Sequence, residues 1–204
     1  MTFESMGDLN KGWGICGFTS CFYALYEDLA GTPTHARIIN GSVAFNVLAE
    51  IKTYLRILQA EGRLADIQDI EAFCQSFGGA YAKFTVTDYC KKISDAVRYS
   101  DAEVLKEDFS IGLPPTTVKD YLTRIWGMDS KVYRGSDPGG QSIIGMTHKG
   151  SSTGCDGLVH YMYRARNGKI YSWGHPPYAT IEDAADGGAP RRKGWQIGWV
   201  ITLK

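Results

Sequence analysis

The chain has 204 residues, a length that fits one domain and one active site, and its 22 basic side chains are balanced by 22 acidic ones. An even charge balance gives no electrostatic argument for binding nucleic acid, so no nucleic-acid partner is expected. No segment approaches the ~20 consecutive apolar residues that cross a bilayer, which excludes a membrane-spanning protein.

The N-terminal residues 1–14 have neither the basic region nor the apolar stretch of a secretory signal peptide. We therefore expect a protein that is cytoplasmic as made. The cysteines are odd in number and lack the spacing of a disulfide framework, which favours free thiols in a reducing compartment. They are Cys16, Cys21, Cys74, Cys90 and Cys155.

Apolar residues recur at helical spacing through the first 127 residues, and glycine or proline ends most of these runs. The first predicted helix begins at Cys16, directly after a glycine-rich stretch that we interpret as a loop, and it ends before Gly31. Further helices are predicted at residues 44–61, 67–77, 85–97 and 115–126.

Beyond residue 127 the pattern changes to β-branched and aromatic runs separated by Gly, Asp and Pro, which is typical of antiparallel strands. We predict strands at residues 131–134, 141–146, 158–166, 169–173 and 195–203. Helices followed by strands indicate the α+β class. The chain is interpreted as a single domain, residues 1–204, with a mainly helical half at 1–127 and an antiparallel sheet half at 128–204.

Cys16 is the cysteine whose position suits chemistry. At a helix start, unpaired backbone N–H groups and the helix dipole stabilise a thiolate and lower a pKa that is otherwise ~8.5. The same N–H groups can bind the oxyanion of a tetrahedral intermediate. The alternative is a small buried residue, which is our interpretation of Cys21, Cys74 and Cys90.

A thiol nucleophile needs a base, and His160 is the candidate. His160 and His175 flank Asn167-Gly168, a strong β-hairpin signal. A two-residue loop places His175 directly opposite His160, where it can orient the base. A three-residue loop with a bulge shifts the register by one and brings Ser172 to the face of His160 instead. Both third members remain open at this point.

A zinc hydrolase is an alternative, because His148, Cys155 and His160 are zinc-ligand types close together in sequence. Their spacing matches no compact zinc-binding motif. No metal or other cofactor is therefore expected.

These residues resemble the papain-like cysteine peptidases and amidases, including NlpC-type cell-wall amidases and bacteriocin-leader peptidases. Cys16-Gly-Phe-Thr-Ser20 opens a helix, as the nucleophile motif does in those families. Asn10 stands six residues before the cysteine, where papain-like enzymes place an oxyanion-hole glutamine. His160 begins a strand that is followed by Asn-Gly-Lys.

The resemblance implies a papain-like fold, in which a nucleophile helix packs on an antiparallel sheet that delivers the histidine and then a third polar residue. NlpC-type enzymes often use a second histidine there, which suits His175, although the motif spacing points to Ser172. Residues 35–110 match no part of these families, and we interpret them as a helical insert that restricts the substrate.

The expected function is amide or peptide hydrolysis through a thioester, with Cys16 as nucleophile, His160 as base and Asn10 in the oxyanion hole. The same site also suits a deamidase or an acyl transferase. A rival of another class is a catalytically silent domain that binds a peptide through its aromatic residues. By analogy with bacterial effector toxins, the substrate is a cell-wall peptide or host protein, export uses a specialised secretion system, and an immunity or inhibitor protein is the expected partner.

Overall fold

The computed structural model describes residues 3–28, 42–136, 139–173, 177–186 and 194–204. These residues form an α+β protein in which most helices precede the first strand. In chain order, the helical segments are α1 Phe3–Trp13, α2 Cys16–Asp28, α3 Val43–Ala60, α4 Leu64–Ser76, a 3-10 helix Gly79–Lys83, α5 Val86–Ala96, α6 Asp101–Val104, α7 Pro115–Trp126 and α8 Ile181–Asp186. None of the helices in these ranges has the length and apolar character needed to cross a membrane.

The predicted helix at Cys16 is confirmed, since α2 begins at that residue. Its buried residues include Phe18, Phe22 and Leu25, which recur every three or four positions and pack into the core. The predicted end of this helix near Gly31 lies outside the described residues.

The segment before Cys16 is a helix, so the predicted glycine-rich loop is wrong. Met6, Leu9, Asn10 and Trp13 are all at most 5% exposed and follow the i, i+3, i+4, i+7 spacing of one helix face. A polar residue, Asn10, takes one of these buried positions and interrupts the apolar pattern. The consequence is that α1 and α2 are joined by only two residues, Gly14 and Ile15.

The strands form a five-stranded antiparallel sheet in the order β1-β5-β2-β3-β4. β4 pairs with β3 through only two residue pairs, Tyr163 with Tyr171 and Arg164 with Ile170. Among the described strands, the N-terminal part of β3 therefore has a neighbour on one side only. The strand bounds are β1 Ser130–Arg134, β2 Ser142–His148, β3 Leu158–Arg164, β4 Ile170–Tyr171 and β5 Trp195–Leu203.

The sheet has apolar residues on both faces. The face that carries Ile143, Tyr161 and Tyr163 belongs to the main core, against which α2 and the other long helices pack. The opposite face carries a smaller cluster, covered by Ala184 and Ala185 of α8. That cluster also contains Ile144, Met146, Met162 and Ile170.

A left-handed helical turn, Gly154–Gly157, leads into β3. Cys155 and Asp156 have φ values of 54° and 59°, a region that costs non-glycine residues about 1–2 kcal/mol each. The turn is held by Trp199 Nε1, which donates to the Cys155 carbonyl at 2.9 Å, and by an ion pair of 2.8 Å between Arg134 and Asp156. These contacts fix where β3 begins.

Candidate active site

Cys16 is the first residue of α2, and the tight connection from α1 determines its position. Gly14 has φ +61°, and a Cβ atom there would lie 2.4 Å from the Tyr81 hydroxyl oxygen. That hydroxyl donates a hydrogen bond of 3.2 Å to the Gly14 carbonyl. Glycine is required at position 14 both for its backbone conformation and for the close approach of Tyr81.

The thiol of Cys16 lies among backbone N–H donors, and the residue is half-buried. Burial raises its pKa from 9.0 to about 11, while the N–H groups of Tyr161, Gly17 and Cys16 itself lower it by less. The expected lowering of the Cys16 pKa by the helix start is therefore wrong in its net direction. At neutral pH the resting group is a thiol, so it needs a base at the moment of attack.

Asn10 lies in the last turns of α1 and is only 2% exposed. Its Oδ1 has no hydrogen-bond partner within the described residues, although it is buried. A 180° rotation of the amide would place Nδ2 at the same point. Asn10 lines the same pocket as Cys16, so its side chain is a free polar group at the candidate site.

The hairpin that carries His160 has the register of the three-residue loop. The Ala165 N–H donates to the Lys169 carbonyl at 2.9 Å, and Gly168 takes the left-handed conformation with φ 81°. The two-residue loop is therefore wrong, and the His160–His175 pairing that it predicts falls on a residue outside the described ones. A three-residue loop with glycine at its left-handed position explains the difference.

Ser172 is brought to His160 by this register. The Nε2 atom of His160 lies 2.7 Å from Ser172 Oγ, and both side chains are 1% exposed. The Tyr23 hydroxyl donates to the Ser172 carbonyl at 3.1 Å, which anchors Ser172 to α2. His175, the other third-member candidate, lies outside the described residues.

Two tryptophans surround the His160 ring. Trp173 stacks on it with a centroid separation of 3.8 Å and an interplanar angle of 25°. Trp195 lies 6.0 Å from the same ring and 6.1 Å from Trp173. Together with the Ser172 hydrogen bond, these contacts hold the imidazole in place.

His160 lies in the N-terminal part of β3, which among the described strands has a neighbour on one side only. Met146 pairs with His160 and Thr147 with Leu158, so Val159 is the extra residue of a β-bulge. The register places the His160 side chain on the Met146 face of the sheet. The thiol of Cys16 approaches β3 at the neighbouring Tyr161 N–H, from the opposite layer.

These residues meet in one cavity of about 210 Å³. Cys16, Asn10 and His160 contribute to its wall, together with Trp173 and the aromatic side chains of α4 and the 3-10 helix. The structure thus brings three of the predicted site residues to one cavity and adds Ser172 behind His160.

The zinc alternative gains no support from the described part of the chain. No group of three or more His, Cys, Asp or Glu side chains there is arranged to hold a metal ion. His148 and Cys155 do not join His160 in the cavity wall.

The sequence analysis assigned no catalytic role to Trp173 or Tyr161, whose contacts shape the site; Trp173 was considered only as part of a peptide-binding surface. Trp173 follows Ser172 directly, so the correct hairpin register would have placed it near His160. The role of the Tyr161 N–H could not be predicted from the sequence, because every residue except proline has a backbone N–H group.

In comparisons with known proteins, the chain matches no family model, no curated protein and no solved structure at a significant level.

Proposed function

We propose that the chain is a cysteine-dependent amide or peptide hydrolase with a papain-like arrangement of its site. The observation that carries the proposal is the shared cavity: Cys16 at the start of α2 and His160 of β3 contribute to one wall. The Ser172 hydrogen bond to His160 Nε2 supports it further, because it assigns that nitrogen to positioning.

In the proposed reaction the Cys16 sulfur attacks the carbonyl carbon of the substrate, and the thiol proton passes to His160 across the shared cavity, from the main-core face of β3 to the Met146 face. The Cys16 N–H and the Asn10 amide stabilise the oxyanion. When the C–N bond breaks, His160 returns the proton to the leaving amine, and a thioester remains on Cys16. Water then attacks the thioester and gives its proton to His160, which returns it to the Cys16 sulfur as the C–S bond breaks, so that both the thiol and the neutral imidazole are restored.

The raised pKa of Cys16 favours proton transfer during attack over a preformed thiolate–imidazolium pair. A buried thiol with a pKa of about 11 keeps its proton at neutral pH. The role of His160 is then general base catalysis, which typically contributes 10²–10⁴-fold to the rate.

The test exposes a mixture of peptides from a digested proteome to the protein and reads new termini by mass spectrometry. We expect new termini with the wild type and with Cys155→Ala, a matched control in which another half-buried cysteine is removed. Cys16→Ala should abolish them. Cleavage that survives Cys16→Ala would contradict the proposal.

The same experiment separates the related reactions. A deamidase would convert glutamine or asparagine side chains to acids without new termini, and an acyl transferase would form hydroxamates when hydroxylamine is added. A wild-type protein that gives none of these products, yet retains peptides on a column, would support the silent binding domain instead.

A further inference from the structure

The cavity beside Cys16 has an aromatic wall that the catalytic groups do not use. We propose that this wall binds a large apolar side chain, aromatic or branched aliphatic, on the acyl part of the substrate. The inference rests on the proposed function and names its substrate class.

The wall consists of Phe73 from α4, Phe77 at its C-terminal end and Tyr81 from the 3-10 helix. The Phe73 and Phe77 rings meet edge to face at 5.1 Å, and Phe77 and Tyr81 stack at 5.0 Å with 30° between their planes. Phe77 and Tyr81 are half-buried, so these two rings face the open part of the cavity. An apolar side chain placed against them is removed from water.

Neighbouring backbone segments hold the aromatic wall in place. A Cβ atom at Gly112 or Gly154 would lie only 3.0 to 3.1 Å from the Phe73 ring, so both backbones press against that ring. Gly112 is held in turn by Cys74, whose sulfur accepts its N–H at 3.3 Å. Because the wall is already packed before the substrate binds, little conformational entropy is lost on binding.

The charges around the cavity disfavour a basic substrate side chain. No carboxylate lines the cavity within the described residues, and Lys11 is its charged lining residue, exposed to solvent. A cationic side chain would lose hydration without gaining a charged partner. An acidic side chain could reach only the solvated Lys11, where an ion pair contributes about 0–1 kcal/mol.

The size of the cavity also fits one large side chain. Its volume is about 210 Å³, whereas an apolar protein cavity of roughly 150 Å³ is sufficient to bind benzene. The remainder leaves space for the adjoining peptide group. The cavity can therefore hold one large apolar side chain together with the peptide group that carries it.

The experiment uses acyloxymethyl ketones of acetylated amino acids, which alkylate an active-site cysteine. The five probes carry benzyl, isobutyl, methyl, carboxyethyl and aminobutyl side chains. Peptide mapping gives the rate of modification at Cys16, with Cys155 in the same molecules as the reference thiol. We expect the benzyl and isobutyl probes to react roughly tenfold or more faster than the methyl probe, and the aminobutyl probe to be the slowest.

Equal rates at Cys16 for all side chains, or a preference for a charged one, would overturn this inference while leaving the proposed function intact. If no probe modifies Cys16 faster than Cys155, the proposed function fails and the inference fails with it.

A substitution then tests the wall itself. Phe77→Ala should reduce the ratio of benzyl to methyl rates toward one. Tyr133→Ala removes an exposed aromatic of β1 outside the cavity wall and should leave that ratio unchanged. If Phe77→Ala folds and its ratio of benzyl to methyl rates is unchanged, the assignment of the aromatic wall is overturned. If Phe77→Ala does not fold, the probe series on the wild type decides the proposal.

Discussion

Cys16 and Cys155 have similar solvent exposure and similar thiol pKa values, but the groups around the two residues differ. Both residues are half-buried, and burial raises the pKa of each thiol to about 11. Cys16 begins a helix and receives backbone N–H groups, whereas Cys155 lies in a left-handed turn where the Asp156 carboxylate raises its pKa further. The comparison shows that burial and acidity alone do not identify a nucleophile in this chain.

What distinguishes Cys16 is the set of groups that share its cavity. Asn10 and His160 contribute to the same wall, and His160 is oriented by Ser172 and Trp173. The carbonyl of Cys155, by contrast, accepts a hydrogen bond from Trp199, which is a structural contact. Experiments that compare the two thiols in one molecule therefore measure the contribution of these neighbours.

The largest difference is expected when the base is removed. In the wild type at pH 7, iodoacetamide should label Cys16 on the order of a hundredfold faster than Cys155, because general base assistance contributes 10²–10⁴-fold. His160→Gln keeps a group that can hydrogen-bond to Ser172 but removes the base. Labelling of Cys16 should then fall to the level of Cys155, as measured by time-resolved peptide mapping.

Cys155 serves as the internal control, and its labelling rate should not change in His160→Gln. Equal labelling of the two thiols in the wild type would show that His160 does not assist Cys16.

A smaller loss is expected from Ser172→Ala. The substitution removes the hydroxyl at 2.7 Å from His160 Nε2 and should lower the rate at Cys16 by about tenfold, the equivalent of one hydrogen bond of ~1.5 kcal/mol. Because Ser172 acts through His160, the pH dependence of Cys16 labelling should also shift. Ser172→Thr, which keeps a hydroxyl, should restore both rate and profile.

Full activity in Ser172→Ala together with loss of activity in His175→Ala would assign the third position to His175.

The sequence predicted the elements that carry the nucleophile and the base, but not the geometry of the hairpin between them. The Asn167-Gly168 signal fits both loop lengths, since a left-handed glycine occurs in each. The loop length depends on whether Ala165 or Arg166 pairs with Lys169. The structure shows the Ala165 pairing, at a hydrogen-bond distance of 2.9 Å.

Neither the raised pKa of Cys16 nor the aromatic wall could be predicted from the sequence, because both depend on tertiary packing. A helix start lowers the pKa of a thiol, but the larger effect at Cys16 is desolvation by burial, which depends on how segments distant in sequence pack around it. Phe73 and Phe77 have the same apolar spacing as the core residues of their helix. Only the packing of α4 against the Gly112 and Gly154 backbones distinguishes them as a cavity wall.

The smallest difference between the two thiols is expected in their contribution to stability at alkaline pH. A thiol with a folded-state pKa near 11 and an unfolded-state pKa near 9 stabilises the fold fully below pH 9. Above pH 9 the unfolded state releases its proton while the folded state keeps it, so stability is lost up to pH 11. Each thiol should contribute about 1.4 kcal/mol of loss per pH unit in that window.

Urea unfolding of the wild type, Cys16→Ala and Cys155→Ala between pH 8 and about 11 measures this slope. Each variant should lose stability less steeply than the wild type, and by the same amount, because the two pKa values are raised alike. The other tyrosines and cysteines are present in all three proteins and cancel in the comparison, apart from Tyr81 and Tyr161, whose pKa values the two thiols themselves raise. If Cys16→Ala alone left the slope unchanged, the folded-state pKa of Cys16 would not be raised above 9, and the argument from a raised pKa to a base-assisted thiol would fail.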